Sequence, residues 1–132
     1  MTATQSGAAL PAPVAEFVAA VNRFDTTAIA AVFTADALVN DARREFSGRP
    51  AIRRWVEREI VGDKVTMEVS GLRFHHESVI VDAVIDGEYD KTGLPDVVVL
   101  THYFTIAGEQ IAQLIIIRNE PTPAWAADEA GA

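Results

Sequence analysis

The sequence predicts an α+β domain, with helices first and a curled antiparallel sheet after them. Helical periodicity is confined to the stretch before Lys64. From Lys64 onward, runs rich in Val, Ile, Phe, Tyr and Thr take over, separated by short turn segments. The third observation is size, since 132 residues with 49% hydrophobic content suffice for one core and one domain. Helices followed by strands, rather than alternating with them, sit against one face of such a sheet.

Residues 1–12 are small and polar with Gly and Pro, and read as a flexible leader. The domain proper is expected over 13–120. From Pro13, Val14, Phe17, Val18 and Val21 follow the i, i+3, i+4, i+7 pattern of an amphipathic helix ending near Asn22, with Phe17 inward. Asp25 is placed to cap a second, shorter helix whose Ile29, Val32 and Phe33 share a face. A strand over Ala37–Asp41 and a short polar piece lead to Gly48 and Pro50. A proline in a first helical turn sacrifices no intrahelical donor, so a third helix opens there, burying Ile52, Trp55, Val56 and Ile60.

Four strands then follow in KVTMEVSGLRFHH, SVIVDAVIDGEYD, DVVVLTHYFTI and QIAQLIIIRNE, joined at HHE, DKTGLP and AGE into a meander. The LIII run has no polar interruption, which predicts cover on both faces, by helices on one side and a second copy of the chain on the other. A homodimer through the outer sheet face is the corresponding expectation. Residues 121–132 read as a flexible tail with Trp125 as its one anchor candidate.

A net charge of -8 argues against nucleic acid or an anionic membrane as partner, because the field of the molecule repels polyanions. Six of the eleven basic residues, Arg43, Arg44, Arg49, Arg53, Arg54 and Arg58, cluster, but interleaved Glu45, Glu57 and Glu59 favour a solvated face. No cysteine is present, so disulfides, metal thiolates and thiol nucleophiles are excluded. No run of roughly 18 apolar residues offers a membrane span, and the opening residues lack a basic start and apolar run. A cytoplasmic protein with a small hydrophobic molecule as its partner is expected.

Within this plan one acid stands out. Strand alternation puts Val39 and Asp41 on one face, so an apolar inner side would carry a carboxylate at its end, a candidate for proton transfer. Asn40 and Asp41 also read as residues closing a turn. His75, His76 and Glu77 hint at a metal, but neighbouring strand residues point to opposite faces, so neither metal nor cofactor is expected.

The words EFVAAVNRFD, AVFTADALVND, FSGRPAIRRWV and VVVLTHYFTI, in this order, resemble the nuclear transport factor 2-like superfamily, in its ketosteroid isomerase and SnoaL-like branch. The resemblance covers Pro13 to Glu120 and implies a cone, the sheet wrapped against three N-terminal helices around an apolar pocket. It implies a general base at Asp41. The tyrosine and neutral aspartic acid that donate to the substrate oxygen in isomerase members fall on Phe17 and Thr101, so both donors look replaced. A poor ketosteroid isomerase is expected, improved by Phe17→Tyr with Thr101→Asp.

Alternation from Thr101 assigns Val99 and Tyr103 to the pocket face, where the Tyr103 hydroxyl either donates to an oxyanion or simply fills the cone, and sends His102 outward. Gln113, with Ile111 and Ile115 at the same parity, is a further inward polar residue. Candidate ligand-binding residues are therefore Phe17, Val21, Val39, Trp55, Val99, Thr101, Gln113 and Ile115, with Asp41 and Tyr103 catalytic. A proton-transfer enzyme of isomerase, cyclase or dehydratase type is one reading. A non-catalytic ligand-binding or interaction domain is the other, and an open cavity reaching Asp41 would favour the enzyme.

Overall fold

The computed structural model describes residues 10–118; the expectations for residues 1–9 and for the tail with Trp125 lie outside the described residues. Helix α1 (Ala12–Asn22) buries Val14, Phe17, Ala20 and Val21, the stripe that its periodicity marks. Leu10, assigned to the leader, already packs against this core. The helix end is tied down by the Asn22 amide, which donates to the Met67 carbonyl at 2.9 Å and accepts from the Met67 N–H at 2.7 Å. Asp25 caps α2 (Thr26–Ala31) as expected, its carboxylate accepting from the Ala28 N–H at 3.0 Å.

Strand β1 (Phe33–Asp41) starts at once, so Phe33 opens a strand instead of closing a helix. Its ring meets Phe17 edge-on at 6.0 Å, and Phe17 meets Phe104 likewise at 5.5 Å, filling the centre of the core. The polar piece after Asp41 is a hairpin to β2 (Arg44–Ser47). Its two turn residues, Ala42 and Arg43, have φ of 55° and 71°, left-handed values that Asn-Gly would announce and Ala-Arg does not. Helix α3 (Arg49–Trp55) runs into a π-helical turn, Val56–Ile60, a distortion often found at functional sites.

Strands β3 (Thr66–His75), β4 (Ser78–Asp86), β5 (Val98–Ala107) and β6 (Gln110–Arg118) form the expected antiparallel meander. The sheet order is β2-β1-β6-β5-β4-β3, curved and unclosed, with β1 parallel to β6 as its one parallel pair. The helices pack into its concave side, giving the α+β cone. Among the described residues no helix is long and apolar enough to cross a membrane.

Candidate functional site

Between helices and sheet the cone leaves a cavity of about 280 Å³. Phe17 and Val21 of α1, Met67 of β3, Leu100 of β5 and Ile116 of β6 supply apolar wall, and Tyr89 and Leu94 of the β4–β5 loop close one side. Asp41, Glu59, Asp63, His102 and Arg118 bring polar atoms to it.

The register of three strands sets the central geometry. Asp41 pairs with Ile116 across β1 and β6, and His102 pairs with the same Ile116 across β5 and β6. All three line the cavity, so they form one row on the concave face. Two strand spacings of about 4.8 Å put the backbones of Asp41 and His102 about 10 Å apart, with Ile116 as the floor between them.

Asp41 is anchored through one oxygen. Its Oδ2 accepts from the Trp55 indole N–H at 3.0 Å and from Arg44 at 3.2 Å, while Oδ1 accepts no bond from the described residues. Arg44 in turn grips Glu59 with both arms of its guanidinium, at 2.6 and 2.8 Å, and holds that carboxyl below its usual range. The π-helical turn carries Glu59 into this clasp. Asp41 is thus not the isolated carboxylate in apolar surroundings that its sequence context suggests. It is held in position by two donors with one oxygen left to act, its side chain 21% exposed.

His102 is the residue that sequence reasoning placed on the wrong side. It is 3% exposed and lines the cavity. Its Nδ1 lies 3.2 Å from the Val81 carbonyl. A carbonyl only accepts, so Nδ1 carries the hydrogen, and in the neutral ring Nε2 is then an acceptor. Burial lowers the imidazole pKa to about 4, outweighing the Val81 and Leu100 carbonyls and the Asp82 carboxylate, which favour the charged form.

Of the residues the sequence singled out, Phe17, Val21, Asp41 and Trp55 meet at the cavity. Val39 shares the inward face of β1 but is fully buried in the core and not part of the wall. Val99, Thr101 and Tyr103 are on the opposite face of β5, because Val98, Leu100, His102 and Phe104 are the inward set. The signal was available: that set is the more apolar of the two, whereas Val99, Thr101, Tyr103 and Thr105 mix in hydroxyls. Thr101 donates instead to Asp82 at 2.7 Å, so it is not an oxyanion donor in the cavity.

Gln113 and Ile115 also face outward, for a different reason. Ile106 pairs with Ile111 but Thr105 pairs with Gln113, so a bulge at Ala112 reverses the alternation, and Leu114, Ile116 and Arg118 point inward. At the β3–β4 turn the His75 and His76 rings stand 4.4 Å apart, edge to face. Among the described residues no three His, Cys, Asp or Glu side chains are grouped to hold a metal ion.

The family model of the SnoaL-like domain matches residues 14–114. The chain belongs to this SnoaL-like family. Among solved structures, a candidate polyketide cyclase from Sinorhizobium meliloti is 27% identical, with TM-score 0.76, over 86% of this chain and 100% of that one. A ketosteroid isomerase-like protein from Catenulispora acidiphila, in complex with trimethylamine, is 22% identical, with TM-score 0.69, over 81% and 85% of the two chains. The epoxide hydrolase/cyclase-like enzyme SalBIII, of pyran ring formation in salinomycin, is 24% identical, with TM-score 0.68, over 81% and 88%. These likenesses confirm the nuclear transport factor 2-like and ketosteroid isomerase-like fold. No curated protein matches the chain at a significant level.

Proposed function

We propose that this SnoaL-like protein is an enzyme that moves a proton on a small, largely apolar molecule, with Asp41 as the general base. The observation that carries the reading is the cavity itself, which reaches Asp41, whose Oδ1 has no partner among the described residues. A cone filled by its own side chains would have favoured a binding module. Trp55 and Arg44 fix the carboxylate so that no reorientation is needed when the proton transfers. The candidate polyketide cyclase and SalBIII support an isomerase, cyclase or lyase type of reaction, in which a positioned carboxylate can move a proton.

The Tyr103 hydroxyl has no part in this mechanism, because its strand face is turned from the cavity. A homodimer through the outer face, in a cytoplasmic protein, completes the reading. Ile117 is 50% exposed there, beside the half-buried Val99, Tyr103 and Ile115. Sedimentation at micromolar concentration tests the dimer, and a species of 14.2 kDa alone would remove it. The catalytic reading is tested by screening enolisable ring compounds for solvent deuterium uptake. Exchange that Asp41→Asn abolishes supports it, and exchange that survives the substitution overturns it.

A further inference from the structure

Among the described residues most polar side chains lining the cavity are acceptors, and the Trp55 and Tyr89 donors are engaged. Asp41 Oδ1 and His102 Nε2 are acceptors, and Glu59 and Asp63 add carboxylates. The Trp55 N–H is committed to Asp41 and the Tyr89 hydroxyl to the Ile85 carbonyl at 3.2 Å. A ligand that only accepts hydrogen bonds would therefore leave buried acceptors on both sides unsatisfied, at a cost of about 1–3 kcal/mol each. A ligand that donates at two ends would satisfy them.

Size and spacing narrow the class. A cavity of about 280 Å³ lies at the small end of small-molecule sites and suits a ring compound of modest size. Side chains on a concave face converge, so the two acceptors stand no farther apart than the roughly 10 Å separation of their backbones. Subtracting two hydrogen bonds of about 2.8 Å leaves at most about 4–5 Å between the donors. Meta hydroxyls on a benzene ring have that separation.

We propose that the site takes a small neutral ring compound with two hydroxyl donors, of the dihydroxybenzene or enol class, which bridges Asp41 Oδ1 and His102 Nε2 over Ile116. The inference rests on the reading of this cavity as the substrate site and names its substrate class.

The experiment is an NMR titration of the whole chain with resorcinol and with 1,3-dimethoxybenzene, which has the same ring but no donor. Resorcinol is expected to bind at least about tenfold more tightly, the worth of one or two net hydrogen bonds. His102→Phe should weaken resorcinol about tenfold and leave the ether unaffected, which also shows that the variant is folded. His102→Gln, which keeps an acceptor, should retain most of the affinity. In the free protein the nitrogen shifts should show Nδ1 protonated and Nε2 bare. Equal binding of the two rings, binding of neither at millimolar concentration, indifference to His102→Phe, or a protonated Nε2 would each overturn the proposal. The two readings fail differently: these preferences without any Asp41-dependent exchange would remove the catalytic role alone. Asp41-dependent turnover of a substrate lacking hydroxyls would remove only this inference.

Discussion

Thr101 and His102 are neighbours in sequence and opposites in structure. On the outer face, Thr101 donates to Asp82 at 2.7 Å, Arg73 donates to the other Asp82 oxygen at 2.7 Å, and the cluster is closed. Burial works against the Asp82 charge, yet these two hydrogen bonds hold the carboxyl below its usual range. Gly71 completes the arrangement, since a Cβ there would stand 2.9 Å from Asp82 Oδ2. On the concave face, His102 and Asp41 line the cavity, each with one atom satisfied by the protein and the other without a hydrogen-bond partner among the described residues. Both faces carry polar residues on buried strands. Of these two clusters, only the inner one leaves hydrogen-bonding capacity unfinished among the described residues, and unfinished capacity in a cavity is what a ligand completes.

The sharpest way to break this comparison is to remove one polar group from each face. Asp41→Asn keeps the shape and the contact with Trp55 but cannot take a proton, and should lower the rate of the proton transfer by about a hundredfold or more. Thr101→Val on the outer face should leave that rate within about twofold, as it touches nothing in the cavity. Equal losses from both, measured as kcat/KM, would erase the distinction.

A second effect concerns stability against pH. His102 titrates near 6.5 when unfolded and about 4 when folded, so between these values the unfolded chain binds the extra proton. Stability is therefore full above pH 6.5 and falls as pH drops from 6.5 to 4, by about 3 kcal/mol for a gap of this size. Urea unfolding at several pH values should show that slope in the wild type and lose it in His102→Phe. Glu59 and Asp82, held below their ordinary carboxyl values, contribute at lower pH and should remain in the variant.

On the outer face the effects are smaller. Arg73 is 54% exposed, so its ion pair is screened, and Arg73→Met should cost about 1 kcal/mol. Gly71→Ala forces the Asp82 carboxylate to shift and should cost a similar amount. Because both act through Asp82, the double variant should fall short of the sum by about 0.5 kcal/mol or more. Strict additivity in urea unfolding would mean that the cluster is not one unit.

Much of this fold was legible because periodicity is local: the stripes Val14, Phe17, Val21 and Ile52, Trp55, Val56 are buried as read. Asp41 was legible for the same reason, its parity with Val39 holding along an unbroken stretch of β1. What the sequence hid was phase. The bulge at Ala112 reverses the faces of β6 without any Gly or Pro to mark it, and the β1–β2 turn uses Ala42 and Arg43 where a hairpin would ordinarily announce itself with Asn and Gly. In β5 no bulge intervenes; reading Thr101 as the counterpart of an isomerase aspartate overrode the plainer apolar alternation, and His102 was lost with it.

The smallest expected effect is a null, and it follows from that phase. Phe17→Tyr with Thr101→Asp should not create a ketosteroid isomerase. Phe17 does line the cavity, so a hydroxyl there could reach a ligand. An aspartate at 101 would project from the outer face, where the carboxylate of Asp82 stands 2.7 Å from the present hydroxyl. Two carboxylates in that position repel, so one takes up a proton or the strands part, and neither outcome places a donor beside a substrate oxygen. The substitution should therefore destabilise the protein by about 1–3 kcal/mol and leave 5-ene-3-ketosteroid isomerisation at its low starting level. Moving the acid to the neighbouring position, as Phe17→Tyr with His102→Asp, puts it on the concave face opposite Asp41 in the row through Ile116. If activity appears in the first variant and not in the second, Thr101 and not His102 belongs to the cavity, and the inner and outer faces of β5 have been exchanged.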